Sequence, residues 1–193
     1  WTRKTSFQRA FARSNNVVFG KAARKFSDYA KMKKMAYKFG FHSDLLQLLN
    51  VGDSELLTGK DAYSLAELAS GFNRHTLISP LHGAIIASVA ANDGILKIPY
   101  VIEEVEDTEN GRVIWEYSEI ENRVLSPESS KRMQDLMEST VKKGTARSAF
   151  RAHKTRKIKD LIIGGKTGTI TGGFPHGRRD WFVSYAMPSK DGD

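Results

Sequence analysis

Apolar residues recur at helical spacing early in the chain and again after residue 126, while extended, hairpin-like patterns occupy 101–117 and 161–187. Val17 to Lys25 is compatible with a helix. Ser27-Asp28 opens a second helical segment, with Ala30, Met35, Ala36 and Phe39 close to one face and Gly40 as its stop. Ser43 is placed to cap a short turn through Leu45, Leu46, Leu48 and Leu49, and Gly52 to Gly59 reads as loop. Ser79-Pro80 combines a capping residue with proline at the first helical position. The helix it opens, Leu81 to Asn92, is small and apolar nearly all round and is closed by Gly94. A helix without a polar face belongs at the centre of a domain. Ser126-Pro127-Glu128 opens another, with Met133, Leu136, Met137 and Val141 on one stripe and Gly144 at its end.

Two antiparallel pairs complete the pattern. Val101 to Asp107 and Arg112 to Tyr117 flank Thr108-Glu109-Asn110-Gly111, where Asn-Gly predicts a type I′ hairpin turn. Leu161 to Thr171 and Trp181 to Met187 form the second pair, joined by a loop containing Gly172, Gly173, Pro175 and Gly177. Helices lead, strands come late, and no strand-helix-strand rhythm appears. The expected class is α+β, a helical subdomain plus antiparallel sheet. A two-stranded sheet is too small to shelter this much apolar helix, so residues 1–193 are expected to be one partial domain, truncated at both ends.

Composition changes this picture in three ways. The absence of cysteine excludes disulfides and thiolate metal sites. No run of about 18 apolar residues is present, so no segment reads as a membrane span, and no signal-peptide pattern opens the chain. The net charge of +8 is concentrated between Lys21 and Lys38 and between Arg147 and Lys159. Basic clusters raise the possibility of nucleic acid, but no zinc-finger spacing, RRM signature or aromatic-interleaved arginine tract accompanies them. A solvated surface near anionic lipids or wall polymers is the preferred reading. The stretch Arg147 to Lys159 is expected to be exposed and mobile, since no apolar stripe runs through it. The five histidines lack metal-ligand spacing, and Gly164-Gly165-Lys166 lacks the spacing of a phosphate-cradling loop.

The candidate chemistry lies in Lys166-Thr167-Gly168-Thr169 on the predicted Leu161 strand and in Ser14-Asn15-Asn16 far upstream. Read alone, Ser14 is a candidate helix cap, Lys166 a solvated strand lysine, and Thr167 and Thr169 ordinary strand residues. Between them lie Leu68-Ala69-Ser70-Gly71-Phe72-Asn73, then Ser79-Pro80-Leu81-His82, Ala90-Ala91-Asn92-Asp93-Gly94, and Lys143-Gly144-Thr145-Ala146; Trp181-Phe182 follows. Gly71-Phe72-Asn73 is placed to line a cleft or simply to connect. In this order, from Ser14 to Pro188, the series resembles the transpeptidase domain of penicillin-binding proteins, whose site combines Ser-x-x-Lys, Ser-x-Asn and Lys-Thr-Gly elements.

The resemblance implies a serine acyltransferase that attacks the D-Ala-D-Ala end of a peptidoglycan stem peptide, binds β-lactam antibiotics and needs no cofactor or metal. It implies that Ser14 relays protons, that Asn16 binds the substrate's backbone amide, and that Lys166 holds positive charge beside the relay. Thr167 and Thr169 would engage the terminal carboxylate, Gly168 would let the strand approach the ligand, and the Thr169 N–H would form half of an oxyanion hole. The parent is expected to be membrane-anchored and extracytoplasmic, working beside other cell-wall synthesis proteins. One element departs from the pattern: no Ser-x-x-Lys precedes Ser14, so the nucleophile is expected outside this chain. Ser139-Thr140-Val141-Lys142 matches the letters but stands in the wrong order, and reads as polar residues on a solvent face. Rival readings are a D,D-carboxypeptidase or β-lactamase on the same fold, a degenerate non-catalytic binding module, and, more distantly, a nucleic-acid binder.

Overall fold

The computed structural model describes residues 4–43, 52–151 and 160–189. In chain order the elements are α1 (Phe7–Ala12), α2 (Asn16–Phe26), α3 (Tyr29–Lys38), α4 (Ala62–Ser70), α5 (Pro80–Ala91), β1 (Ile95–Lys97), β2 (Glu104–Glu106), β3 (Val113–Glu116), β4 (Glu121–Arg123), α6 (Pro127–Lys143), α7 (Arg147–Arg151), β5 (Leu161–Gly172) and β6 (Gly177–Pro188). All three sheets among the described residues are antiparallel pairs: β1 with β4, β2 with β3, and β5 with β6. The architecture is mixed helix and antiparallel sheet, as the pattern predicts.

The helices begin where side chains can satisfy their free N–H groups. Ser79 accepts from the His82 N–H at 3.2 Å and Ser126 from the Ser129 N–H at 3.2 Å, each with proline in the first turn. Asp28 does the same for Lys31 at 2.8 Å. Helix α5 occupies the centre, burying His82, Ile85, Ala87, Val89 and Ala90. One side of it meets Leu96, Ile98 and Val124 of the β1–β4 region; the other meets Met137 and Tyr185. Gly83 brings α5 close to the long hairpin, since a Cβ there would stand 3.3 Å from Val183. Helix α6 ties the layers together. Ser130 and Gln134 donate to the Ala90 carbonyl at 2.9 and 2.7 Å, satisfying an acceptor in the last turn of α5.

The structure departs from the sequence expectations at several points. Helices α1 and α4 and the β1–β4 pair add to the predicted elements. Asp61 caps α4, accepting from the Tyr63 and Ser64 N–H groups at 2.9 and 3.1 Å. The 104–116 hairpin forms, but its turn is wider than type I′. Gly111 alone of the Asn-Gly pair has positive φ, at 67°, and its N–H returns to the Asp107 carbonyl at 2.8 Å. The Asp107 carboxylate accepts from the Glu109 N–H and the Asn110 amide, which holds the wider loop over 108–111. The basic stretch starts as helix α7, while residues 152–159 lie outside those described, as do the leucines expected to follow Ser43. Ser139 is not on a solvent face. It is buried, donates to the Asp135 carbonyl at 2.9 Å and accepts from Gln8 at 2.7 Å, a seam between α1 and α6. Lys142 is exposed and pairs with Glu138 four residues earlier.

Candidate active site

Ser14 stands at the junction of α1 and α2 in the left-handed conformation, with φ of 51°. The Ser14 N–H bonds to the Phe11 carbonyl at 3.0 Å and the Asn15 N–H to the Ala10 carbonyl at 2.8 Å. That pair of bonds is a Schellman ending for α1, with serine where glycine is usual. Asn15, not Ser14, caps α2, accepting from the Val18 N–H at 3.3 Å. The hydroxyl of Ser14 is therefore free of helix capping and turns toward the cleft. A side chain in a backbone conformation that disfavours one is a mark of functional constraint.

Both neighbours of this junction are braced. Phe19 of α2 packs against Phe7 and Phe11, with centroids 5.4 and 6.2 Å apart. Gly20 lets α2 approach α4, where a Cβ would already touch Ala66 at 3.4 Å. On the other side, the Thr145 N–H donates to the Ala12 carbonyl at 3.0 Å. A Cβ on Gly144 would fall 2.2 Å from that same oxygen, so only glycine permits the approach.

Across the cleft, β5 carries the second half of the site. Gly164 and Gly165 lie under cross-strand aromatic rings; a Cβ would overlap Tyr185 at 2.3 Å and Phe182 at 2.5 Å. Lys166 follows, and its ammonium donates to the Ser14 hydroxyl at 2.5 Å and to the Thr167 carbonyl at 2.6 Å. It also lies 5.8 Å from the centre of the Phe11 ring. Among the described residues no carboxylate pairs with Lys166, and burial pushes its pKa below the ordinary lysine value. The Thr167 and Thr145 hydroxyls are hydrogen-bonded to each other at 2.5 Å, and the Thr169 hydroxyl donates to Asp180 at 2.7 Å. Gly168 stands opposite Trp181, whose Cβ would be 3.6 Å from an added methyl, an ordinary contact. The protein itself thus leaves room there for a side chain that the sequence omits. Among the described residues β5 pairs only with β6, so alternate N–H groups along it point away from β6, as an oxyanion donor must.

Ser14, Asn16, Lys166, Thr167, Gly168 and Thr169 all line one cleft of about 1040 Å³. Gly71 and Phe72, expected as a connection or a cleft wall, are cleft wall, and so are Trp181 and Phe182. Arg178 and Asp180 were not legible as site residues; their signal is the register, since Asp180 faces Thr169 directly. The assembly is a half-buried ammonium bonded to the Ser14 hydroxyl, beside hydroxyls and a glycine strand able to receive an anionic peptide end.

Comparison with known proteins bears on the family and the fold. The family described as "Penicillin binding protein transpeptidase domain" matches residues 1–192. Peptidoglycan D,D-transpeptidase PbpA of Mycolicibacterium smegmatis is 29% identical over 96% of this chain and 36% of its own length. Stage V sporulation protein D of Bacillus subtilis is 28% identical over 72% of this chain and 21% of its own. The chain thus spans about a third or less of the curated relatives it matches. Among solved structures, PBPA of Mycobacterium tuberculosis aligns over 94% of this chain and 42% of its own with a TM-score of 0.77; at 24% identity this shows the fold. The D,D-transpeptidase domain of a peptidoglycan glycosyltransferase from Eggerthella lenta aligns over 94% and 45% with a TM-score of 0.74 and 26% identity.

Proposed function

This chain belongs to the penicillin-binding protein transpeptidase family, and from that premise we propose that it is the Ser-x-Asn and Lys-Thr-Gly portion of a D,D-transpeptidase cross-linking peptidoglycan stem peptides. The observation that carries the reading is the 2.5 Å bond from Lys166 to Ser14, between residues 152 positions apart. A nucleophilic serine from outside these residues attacks the penultimate D-Ala carbonyl. Its proton passes through the Ser14 hydroxyl to the departing D-Ala amine, and an acceptor amine then takes the acyl group, returning a proton by the same path. Lys166 holds positive charge at the relay, and its partial burial keeps that charge from being dissipated by water. Asn16 binds the peptide amide, the Thr167 and Thr169 hydroxyls take the terminal carboxylate, and the Thr169 N–H serves the oxyanion.

On this reading the protein acts outside the cytoplasm on a membrane-anchored parent, alongside other wall-synthesis proteins. Its ligands are the stem peptide and β-lactams. No helix among the described residues is long and apolar enough to cross a membrane. The test is covalent labelling with a fluorescent penicillin, followed by intact mass. The full-length protein labels stoichiometrically, and the 193-residue chain forms no stable adduct. An adduct mapped to Ser14 or Ser139 of the isolated chain would mean that the nucleophile has been misplaced.

A further inference from the structure

The cleft contains its own carboxylate. Asp180 lies on β6 directly opposite Thr169, and its Oδ1 accepts the Thr169 hydroxyl at 2.7 Å and the Arg178 Nε–H at 3.0 Å. A second Arg178 nitrogen lies 3.0 Å from the same oxygen. Arg178 and Asp180 both line the cleft beside Lys166. A hydroxyl has one proton to give. While Asp180 holds it, Thr169 cannot donate to any other anion. The donors arranged around Asp180, one hydroxyl and one guanidinium, are those that would receive a peptide's terminal carboxylate.

We propose that Asp180 is an internal stand-in for the ligand's carboxylate: it engages Thr169 and Arg178, and an anionic ligand must take those donors from it. The proposal rests on the acyl-transfer reading of the cleft and names the residues that set its preference for anionic ligands. Two features make the exchange feasible. Both partners of the Arg178–Asp180 pair are more than half exposed, at 69% and 58% of their side-chain surface, so the pair is weakly held and opens at little cost. Arg178 also keeps guanidinium N–H groups beyond those directed at Asp180, so it can follow the incoming carboxylate while Asp180 turns to water. The two donors hold Asp180 below the usual carboxylate pKa, so it is an anion at neutral pH. Asp180 therefore does two opposing things. It keeps Thr169 and Arg178 oriented, and it repels the anion they would bind. Its net effect is to admit only ligands whose carboxylate competes successfully, and so to set specificity through both attraction and repulsion.

The experiment uses the full-length protein and compares benzylpenicillin with its methyl ester as acylating probes. In parallel it compares binding of N-acetyl-D-Ala-D-Ala with that of its C-terminal amide. In Asp180→Asn, and equally in Asp180→Ala, the acid-to-ester rate ratio and the acid-to-amide binding ratio should rise about fivefold, the effect of removing one nearby like charge in a solvated site. In Arg178→Gln both ratios should fall by a similar factor. Equal slowing of acid and ester in the Asp180 variants would reduce Asp180 to a prop for Thr169 and overturn the proposal, as would unchanged ratios. Absence of labelling in the native protein sinks the acyl-transfer reading instead; the acid-to-amide binding ratio then decides the role of Asp180 by itself.

Discussion

The cleft around Ser14 and the hairpin of β2 and β3 are built on opposite principles. Each cleft residue sits on an element that something else holds: α1 against α6 through Gly144, α2 against α4 through Gly20, β5 under the rings of Tyr185 and Phe182. The hairpin has exposed residues along both strands, including Val113, Ile114 and Trp115. Residues 103–116 carry Glu103, Glu104, Glu106, Asp107, Glu109 and Glu116 against one base, Arg112. Its moorings are at the base, where Tyr117 stacks on Tyr100 with centroids 4.0 Å apart and donates to the Ile98 carbonyl at 2.9 Å. Glu104 and Glu116 even face each other across the ladder, like charges in direct register. In the cleft, unfavourable features such as a left-handed serine and a lysine with no acidic partner among the described residues are held in place by close packing. In the hairpin they are merely tolerated by water. Strain that packing enforces points to function, whereas strain that solvent relieves does not.

The sharpest way to break that contrast is at Lys166. Replacing it by Ala in the full-length protein should slow acylation by about 10²- to 10³-fold, the scale of losing one preorganised electrostatic group. Unchanged labelling would demote Lys166 to a structural strand residue. pH gives a second reading of the same group. Burial lowers its pKa from the ordinary 10.5, so chemistry that needs the ammonium is complete below the lowered value and lost as pH rises through it. Stability moves the other way. Between the lowered folded value and 10.5 the unfolded chain binds the extra proton, so stability rises with pH through that window. Acylation falling while thermal stability rises, in the wild type and not in Lys166→Met, is the expected signature.

Ser14 offers a smaller effect with a divided outcome. Its left-handed backbone at the Schellman position is a glycine position by conformation. Ser14→Gly should therefore stabilise the fold by about 1 kcal/mol while acylation falls, because the Lys166 ammonium loses its hydroxyl partner. If stability also fell, the hydroxyl would be holding the junction together, and its role would be structural.

How much of this the sequence carried depends on the range of the interaction. Caps act over three residues, so Ser79-Pro80 and Ser126-Pro127 announced α5 and α6 within a residue of their true starts. The long β5–β6 hairpin was legible from its flanking apolar runs, although β6 starts at Gly177, four residues before Trp181. Helix α4 has no strong apolar period of its own, although Asp61 and Gly71 punctuate it, with Gly71 left-handed at φ of 74°. Strands β1 and β4 have three residues each and pair across 26 positions, too short for any period to register. The six site residues came from motif order, not from local pattern, because nothing near Ser14 in sequence reveals Lys166. The burial of Ser139 is illegible for a related reason: its partner Gln8 lies 131 residues away. Asp180 and Arg178 escaped because their meaning comes only from the strand register.

The smallest effect belongs to the hairpin and tests whether its strain is as idle as the contrast implies. Glu104→Lys turns a facing pair of carboxylates into an opposite-charge pair with Glu116. Cross-strand pairs of this kind differ by a few tenths to about 1 kcal/mol, and exposure and salt place the expected gain near the low end, at about 0.5 kcal/mol. Thermal unfolding at low and at high salt should show the gain shrinking as salt screens the pair. Acylation by penicillin should be unaltered, since the hairpin contributes no residue to the cleft lining. A change in acylation without a change in melting temperature would mean that the acidic face communicates with the cleft. The division into an enforced region and a tolerated one would then fail at its weaker half.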